Sequence, residues 1–371
     1  MSSPKGPVIP PTRSSTKTPE SQTEQPAGGL IEVDNDVESA YASSSQVTDT
    51  ETLRSSILNY KWENGRRYHA YQDGDYWAPN DDRQQDAEDL MHEMYRIIMD
   101  GEILAAPIGE NPQSVLDVGC GTGTWAIEFA DQYPSAEVLG VDLSPIQPSF
   151  VPPNCKFEVD DINKPWTYPE NNFDFVHLRA MTGCIPDWTE FYRKAFKSLK
   201  PGGWVEHVEL WGIAKSDDDS FKPKSPLKTW VEIFEKIGQA TGKSFFWGDK
   251  DANSMTEAGF AGVVERRVKV PIGTWPKDPQ LKHWGAWNRQ FLLQALEGFS
   301  IRGLTELLDW TYDDAQMYLV DLRKELTSPQ LHFYLDMQAP IAPLFLGPWL
   351  TISQYRTIIY GQKPKHEAQT P

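Results

Sequence analysis

From residue 114 onward, short apolar runs alternate with amphipathic stretches. The apolar runs have the length of single strands and cover residues 114–118, 137–142, 156–159, 173–178 and 203–210. Between them, apolar residues with helical spacing cover 124–133 and 188–199. Strands that alternate with helices predict a parallel sheet with helices on both faces. Ligands of such sheets bind beyond the carboxyl ends of the strands.

The segments on either side of this pattern differ from it. Residues 81–99 predict a helix with acidic residues in its first turn and an apolar stripe, and Gly101 ends it. Residues 60–80 are rich in aromatic residues and glycine but show no period, which predicts an ordered, irregular segment. After residue 215 we expect helices near 227–239, 282–299 and 313–325, a strand at 263–270 and a last strand at 355–360.

These differences divide the chain into five parts. Residues 1–58 are rich in Ser, Thr and Pro and contain a single aromatic residue, Tyr41, so we expect a disordered tail. Residues 59–110 form a predicted N-terminal lid segment with its helix, and 111–215 a predicted ligand-binding core. Residues 216–364 predict a helical cap with closing strands, and 365–371 a disordered end.

Composition then limits the classes of function. The 371 residues include 35 Lys and Arg and 53 Asp and Glu, a net charge of −18 with His neutral. A surface this acidic repels phosphate backbones, so we expect no direct binding to nucleic acid. The longest apolar stretch, near 339–350, is short and interrupted by proline, so we expect no membrane span and a soluble protein of the cytoplasm or nucleus.

The cysteines and histidines predict no metal site. Cys120, Cys155 and Cys184 show no CxxC spacing, and the seven His residues show no HxxH or HxxxH spacing. An acidic run at 217–219 is typical of a solvated loop. We therefore expect no bound metal and no disulfide framework.

The sharpest local signal is a glycine-rich turn between the first predicted strand and its helix. Gly119, Gly121 and Gly123 let the backbone bend tightly and approach a ligand closely, with helix N–H groups directed at it. A dinucleotide-binding GxGxxG motif would need glycine where Thr124 stands. The acid inside the motif, Asp117, suits a ligand with a positive group. The next acid at a predicted strand end, Asp142, follows Gly123 by 19 residues and is placed to accept hydrogen bonds from both hydroxyls of a ribose. The two acids therefore favour a ligand with a ribose and a cation, such as S-adenosylmethionine.

Five segments, in order, resemble the class I S-adenosylmethionine-dependent methyltransferases. They are residues 115–123, 140–142, 159–162, 173–176 and 200–203, and their spacing matches over 81–215. Flanking residues at 63–69, 76–80, 90–92 and 360–364 are similar to the fungal LaeA-like methyltransferases, which extends the resemblance over 58–364. The resemblance implies a Rossmann-like α/β fold. Its seven-stranded sheet has a reversed last strand, and it carries an N-terminal helical lid and a helical insertion between the late strands.

The resemblance also assigns residues to the methionine part and the ribose of the cofactor. The methionine part would lie against an acid and the glycine loop, that is, Asp117, Gly119, Gly121 and Gly123. Asp142, at the end of the next predicted strand, would bind the ribose hydroxyls. A structural alternative for Asp142 is that it caps the next helix.

The adenine position has two alternatives in the sequence. Asp161, with Ile162 beside it, would accept a hydrogen bond from the exocyclic amine of the adenine. Asp160 takes this role if the register slips by one residue. The Asp160–Asp161 pair could also be a solvated loop.

Methyl transfer from a sulfonium needs mainly proximity, orientation and exclusion of water. A hydroxyl or amine acceptor can also need a base. Polar residues near the carboxyl ends of the fourth and fifth predicted strands are the weak catalytic candidates: His177, Arg179, His207 and Glu209. For the two histidines the favoured alternative is a satisfied place in the core, so the sequence names no base.

Two functions follow from the resemblance. The first is an enzyme that methylates O or N of a small-molecule intermediate of fungal secondary metabolism. The second is a nuclear regulator of metabolite gene clusters that works with protein partners. A third interpretation is a module that senses the cofactor without transferring methyl.

Three tryptophans of the predicted cap have two alternatives. Trp275, Trp284 and Trp287 either line an apolar acceptor pocket or belong to the core.

Overall fold

The computed structural model describes residues 57–209, 213–246, 249–266, 268–336 and 358–365. These residues belong to one unit, 49–371. The predicted tail, apart from residues 57 and 58, and the predicted end, apart from Lys365, lie outside the described residues.

A seven-stranded sheet forms the centre of this unit. Its strands are β3 (Ser114–Val118), β4 (Glu137–Asp142), β5 (Cys155–Val159), β6 (Phe173–Arg179), β7 (Leu199–Val208), β9 (Ala261–Arg266) and β12 (Ile358–Gln362). Their spatial order is β5-β4-β3-β6-β7-β12-β9. The first five strands are parallel, and β12 runs antiparallel to both of its neighbours. This confirms the Rossmann-like sheet with a reversed last strand.

Apolar residues on both faces of each strand explain why the sheet is covered on two sides. On β3, Val115 packs with buried residues of α2 (Thr124–Gln132), among them Trp125 and Phe129. Leu116 and Val118 point to the opposite face and pack with residues of α3 (Trp188–Ser198). Helix α1 (Asp82–Ile98) begins at Asp81, whose carboxylate accepts a hydrogen bond from the N–H of Gln84.

The segment before α1 is more regular than the sequence predicts. Strands β1 (Lys61–Glu63) and β2 (Arg66–Tyr68) form a hairpin whose turn is Asn64–Gly65, both with positive φ. The Arg302 guanidinium lies over the Tyr68 ring at 4.6 Å from its centroid and pairs with Glu63 at 3.1 Å. The N-terminal segment is thereby fixed to the helical cap.

The cap contains helices α4 (Pro226–Thr241), α5 (Asp249–Glu257), α6 (Pro279–Arg302) and α7 (Tyr312–Leu326), with a π-helical turn at Gly303–Leu307. A small antiparallel sheet joins β10 (Val270–Ile272), β11 (Phe333–Asp336) and β8 (Ile213–Lys215). The single strand expected at 263–270 is therefore wrong, because β9 belongs to the main sheet and β10 to the small one. Of the expected last strand, 355–357 lie outside the described residues. No helix in the described ranges is long and apolar enough to cross a membrane.

Candidate functional site

A cleft opens at the carboxyl ends of β3 to β6, the edge at which parallel sheets bind ligands. The glycine loop after β3 and the turns after β4, β5 and β6 form its base. Helix α1, residues 75–80 and residues of α6 form the opposite side. Residues 75–80 of the predicted lid segment therefore face the same cleft as six of the predicted cofactor residues: Asp117, Gly119, Gly121, Asp142, Asp160 and Ile162. The other two, Gly123 and Asp161, are not among the residues that line it.

The glycine loop has the conformation that the sequence predicts. Gly119, Gly121 and Gly123 all have positive φ, at 67°, 54° and 80°. A Cβ on Gly123 would lie 2.4 Å from Cζ of Phe157, and one on Gly119 would lie 2.4 Å from Sδ of Met181. Only glycine combines this backbone with such close neighbours.

Asp142 links the end of β4 to the glycine loop. Its Oδ2 accepts a hydrogen bond from the N–H of Gly121 at 2.9 Å, and its Oδ1 accepts one from the N–H of Ser144 at 2.8 Å. The hydrogen bonds lower the pKa of the Asp142 carboxyl, but the effect of burial is larger and raises this pKa to about 6. No helix begins in residues 143–154, so the N-cap alternative for Asp142 is wrong.

Asp117 and His177 form a buried pair at the floor of the cleft. Their carboxylate Oδ1 and ring Nδ1 are 2.8 Å apart, and the indole of Trp125 stacks on the imidazole with 3.6 Å between ring centroids. Oδ2 of Asp117 and Nε2 of His177 are buried and have no hydrogen-bond partner in the described protein. Burial lowers the pKa of His177, and this effect exceeds that of the Asp117 carboxylate, which raises the pKa.

The two aspartates after β5 face different ways. Asp160 and Ile162 line the cleft. The side chain of Asp161 is buried away from it, and its Oδ1 accepts a hydrogen bond from the N–H of Asn163 at 2.9 Å. Of the two adenine alternatives, the one with Asp160 has the carboxylate on the wall of the cleft.

His207 lies behind the cleft wall, and Glu209, which lines the cleft, is held by hydrogen bonds within the protein. His207 lies between the Tyr192 hydroxyl, 2.8 Å from Nδ1, and Glu209, 2.9 Å from Nε2. Glu209 also accepts hydrogen bonds from the N–H of Met181 and the hydroxyl of Thr182. These bonds fix the turn after β6, as the core alternative for His207 expects.

Helix α1 contributes cleft residues that sequence reasoning missed. Gln84, Glu88, His92 and Tyr95 line the cleft from successive turns. Oε2 of Glu88 is buried without a hydrogen-bond partner, and burial, followed by the nearby Asp142, raises the pKa of Glu88 to about 8. Gln84, Glu88 and His92 follow one another at intervals of four residues, and this polar stripe on one helical face was the available signal.

The aromatic side of the cleft comes from elsewhere than expected. Tyr76, Trp77, Phe291 and Phe299 line it, whereas Trp284 is buried in the core. Neither Trp275 nor Trp287 is among the residues that line this cleft. In the described ranges, no three His, Cys, Asp or Glu side chains converge as a metal site would require.

Comparison with known proteins adds independent information. A family model described as a methyltransferase domain matches residues 90–264. Methyltransferase pytC of Aspergillus terreus is 36% identical over 313 residues, which cover 84% of this chain and 95% of the relative. Secondary metabolism regulator LAE1 of Cochliobolus heterostrophus is 37% identical over 278 residues, 73% of this chain and 91% of the relative. The protein-methionine methyltransferase laeA of Emericella nidulans is 32% identical over 275 residues, 73% of each chain.

Proposed function

The chain belongs to the LaeA-like family of S-adenosylmethionine-dependent methyltransferases, and we propose that it methylates O or N of a small-molecule intermediate of secondary metabolism. The observation that carries this proposal is a single cleft with two chemically different halves. One half has the glycine loop with Asp117 and Asp142, and the other has aromatic side chains such as Trp77 and Phe299. A polar cofactor half beside an apolar half is what transfer to a hydrophobic acceptor requires.

The residues of the polar half fit S-adenosylmethionine. Asp117 has an unpartnered buried carboxylate oxygen for a cationic group, and the positive-φ glycines leave room for close approach. Asp142 would accept from the ribose hydroxyls, and Asp160 from the adenine amine. When bound, the cofactor supplies an electrophilic methyl group on its sulfonium. The protein orients both reactants and excludes water.

The segment 59–80 is the proposed lid over the apolar half. The indole N–H of Trp77 donates to the carbonyl of Thr182 at 3.0 Å, and its ring contacts Phe245 and Phe299 at 5.1 Å between centroids. Lys243 donates to the carbonyl of Asp75 at 2.6 Å. These contacts join the lid to the turn after β6 and to the cap, so the lid closes the acceptor side against water.

Among the weak catalytic candidates, His207 and Glu209 serve to position the turn after β6. His177 remains the base candidate for a hydroxyl acceptor, because Nδ1 is held by Asp117 and Nε2 has no partner in the described protein. Orientation alone would suffice for an amine acceptor that is already deprotonated.

The alternative function is regulation of secondary-metabolite gene clusters with protein partners, in the cytoplasm or the nucleus. It is favoured by the likeness to LAE1, which is named a secondary metabolism regulator. The name of the Emericella nidulans relative, a protein-methionine methyltransferase, adds a protein side chain as a further acceptor class.

A gene deletion followed by metabolite and transcript profiling separates the two functions. For the enzyme, we expect one compound to lose a methyl group while its precursor accumulates and cluster transcripts remain unchanged. Loss of whole compound classes together with their transcripts would contradict the enzyme and support the regulator. A strain that carries Asp142→Ala should reproduce the deletion if methyl transfer is required. Purified protein that converts the accumulated precursor with S-adenosylmethionine completes the test.

A further inference from the structure

Arg179 is the single Lys or Arg among the described residues that line the cleft. It ends strand β6, and its guanidinium shares the cleft with six carboxylic acids: Asp75, Glu88, Asp117, Asp142, Asp160 and Glu209. Its position near the end of a predicted strand made Arg179 only a weak catalytic candidate, and the resemblance to the family assigns it no role. A single cation in an acidic cleft calls for its own explanation.

Within the described residues, Arg179 contacts neutral groups. Nη2 lies 3.0 Å from Nδ1 of His92, and the guanidinium stands over the Tyr95 ring at 4.7 Å from its centroid. A guanidinium can only donate, so Nδ1 of His92 accepts and Nε2 carries the proton toward Glu128, 2.8 Å away. Burial, followed by the charge of Arg179, lowers the pKa of His92 to about 3, so His92 is neutral.

No ion pair joins Arg179 to a carboxylate in the described part of the chain. The carboxylates that act on it electrostatically are held by other groups. Asp117 pairs with His177, and Glu128 pairs with His92 and Arg96. The third carboxylate, Glu206, accepts hydrogen bonds at Oε2 from the N–H groups of residues 105 and 106. A guanidinium removed from water without a carboxylate partner is costly, and burial lowers its pKa accordingly. An anionic group from a ligand would remove this cost.

The position of Arg179 indicates which ligand group that is. The last strand pair between β3 and β6 is Val118 with Leu178. The next residue of β6 is Arg179, which lines the cleft together with Gly119 and Asp117. His177, the partner of Asp117, comes two residues before Arg179 on β6, so these two side chains leave the same face of the sheet. Asp117 has an unpartnered Oδ2. A cation and an anion on the same face of the sheet, next to the glycine loop, match the two charges of an α-amino acid.

We propose that Arg179 binds the α-carboxylate of the cofactor's methionine group, while Asp117 receives the α-ammonium. The inference rests on the proposed function, since it assigns the cofactor that function requires. It makes Arg179 a binding residue for the cofactor and removes it from the candidates for a base. Its planar fork suits a carboxylate, which can accept two parallel hydrogen bonds from it.

Calorimetry with two nucleosides tests the proposal on the full chain. S-adenosylmethionine carries the carboxylate, whereas decarboxylated S-adenosylmethionine retains the ammonium and the sulfonium without it. We expect wild-type protein to bind the first about 10- to 100-fold more tightly, the range for a charge-assisted hydrogen bond. Arg179→Gln should weaken binding of S-adenosylmethionine by a similar factor and leave the decarboxylated compound within about 3-fold, so that the preference disappears.

Arg96→Gln is the matched control, because Arg96 is a nearby arginine that pairs with Glu128 and is not among the residues that line the cleft. It should retain the preference. Equal affinity of wild-type protein for the two compounds would overturn the proposal, and so would a loss in Arg179→Gln that is equal for both. If Arg179→Gln does not fold, Arg179→Lys is measured in its place and should reduce the preference, because an ammonium group cannot form the two parallel hydrogen bonds of the guanidinium. Absence of any binding of S-adenosylmethionine to wild-type protein would contradict the proposed function itself.

Discussion

Replacement of Asp142 by alanine is the most direct test of the cofactor site. The Asp142 carboxylate accepts hydrogen bonds from Gly121 and Ser144 and has lone pairs left on the side of the cleft. Two ribose hydroxyls would donate to it, and a hydrogen bond to a charged group contributes about 1.5–3 kcal/mol. The loss of both amounts to about 3–6 kcal/mol, so we expect Asp142→Ala to weaken S-adenosylmethionine binding about 10²- to 10⁴-fold.

The same variant also frees two backbone N–H groups, so its fold is measured separately by thermal denaturation. Asp75→Ala is a suitable control, because Asp75, in the lid segment, lines the cleft but pairs with Lys243 of the cap. It should change affinity by less than about 3-fold. A folded Asp142→Ala protein whose affinity stays within about 5-fold of wild type would refute the ribose assignment.

The pH dependence of wild-type binding gives a second measurement on Asp142. The pKa of its carboxyl in the ligand-free protein is raised to about 6 by burial. The ionised form accepts from both hydroxyls, so binding of S-adenosylmethionine should weaken as the pH falls from 7 to 5. Calorimetry at a constant ionic strength measures this slope. A flat profile over that range would contradict the role of Asp142 as an ionised acceptor.

Three further predictions follow. Asp160→Asn should weaken S-adenosylmethionine binding about 10-fold in calorimetry through loss of a charged acceptor, whereas Asp161→Asn should change the affinity by less than about 3-fold. If Asp161→Asn has the larger effect, Asp161 is the acceptor for the adenine amine and Asp160 is not. Glu88→Gln should raise the free energy of unfolding by about 4 kcal/mol at pH 8 and by little at pH 4.5. The reason is that the pKa of the carboxyl is about 8 in the native state against a usual 4.5, so the unfolded state loses a proton between these values that the native state keeps. An equal change at both pH values in urea denaturation would contradict it. Gly123→Ala should lower the free energy of unfolding in urea denaturation by about 2–5 kcal/mol, because φ is +80° and the new Cβ meets the Phe157 ring. Gly242→Ala is the control: φ is +70° but the Cβ would lie in open space, so the loss should be about 1 kcal/mol. Equal losses in the two variants would show that the contact with Phe157 is unimportant.

The parts of the fold that sequence could predict are those where one periodicity dominates. The runs 114–118 and 137–142 are mostly apolar because the sheet is covered on both faces, and they form strands with the expected bounds. The hairpin at residues 61–68 was missed, because its strands have three residues each and show no period. Its Asn64–Gly65 pair was nevertheless a turn signal. Helix α5 has few apolar residues, so no periodicity predicted it.

The site divides in the same way. The glycine spacing and the acids Asp117 and Asp142 are local patterns, so the sequence predicted that they face one cleft. Glu88 and Arg179 matter through what surrounds them in three dimensions. The absence of a carboxylate partner for Arg179 in the described protein depends on where Glu128 and Asp117 point, and no spacing in the sequence contains that information.

The reversed strand β12 has a consequence for biosynthesis. It inserts between β7 and β9, and 150 residues separate Val208, the end of β7, from Ile358. At about 5–20 residues per second, a ribosome takes roughly 8–30 s to make that interval. During this time β7 presents an unpaired edge, and β9 has no partner through which to join the sheet. The nascent chain therefore contains the five parallel strands of the sheet while the edge of β7 is still unpaired. This interval is the one in which a chaperone would bind that edge or another strand would pair with it incorrectly.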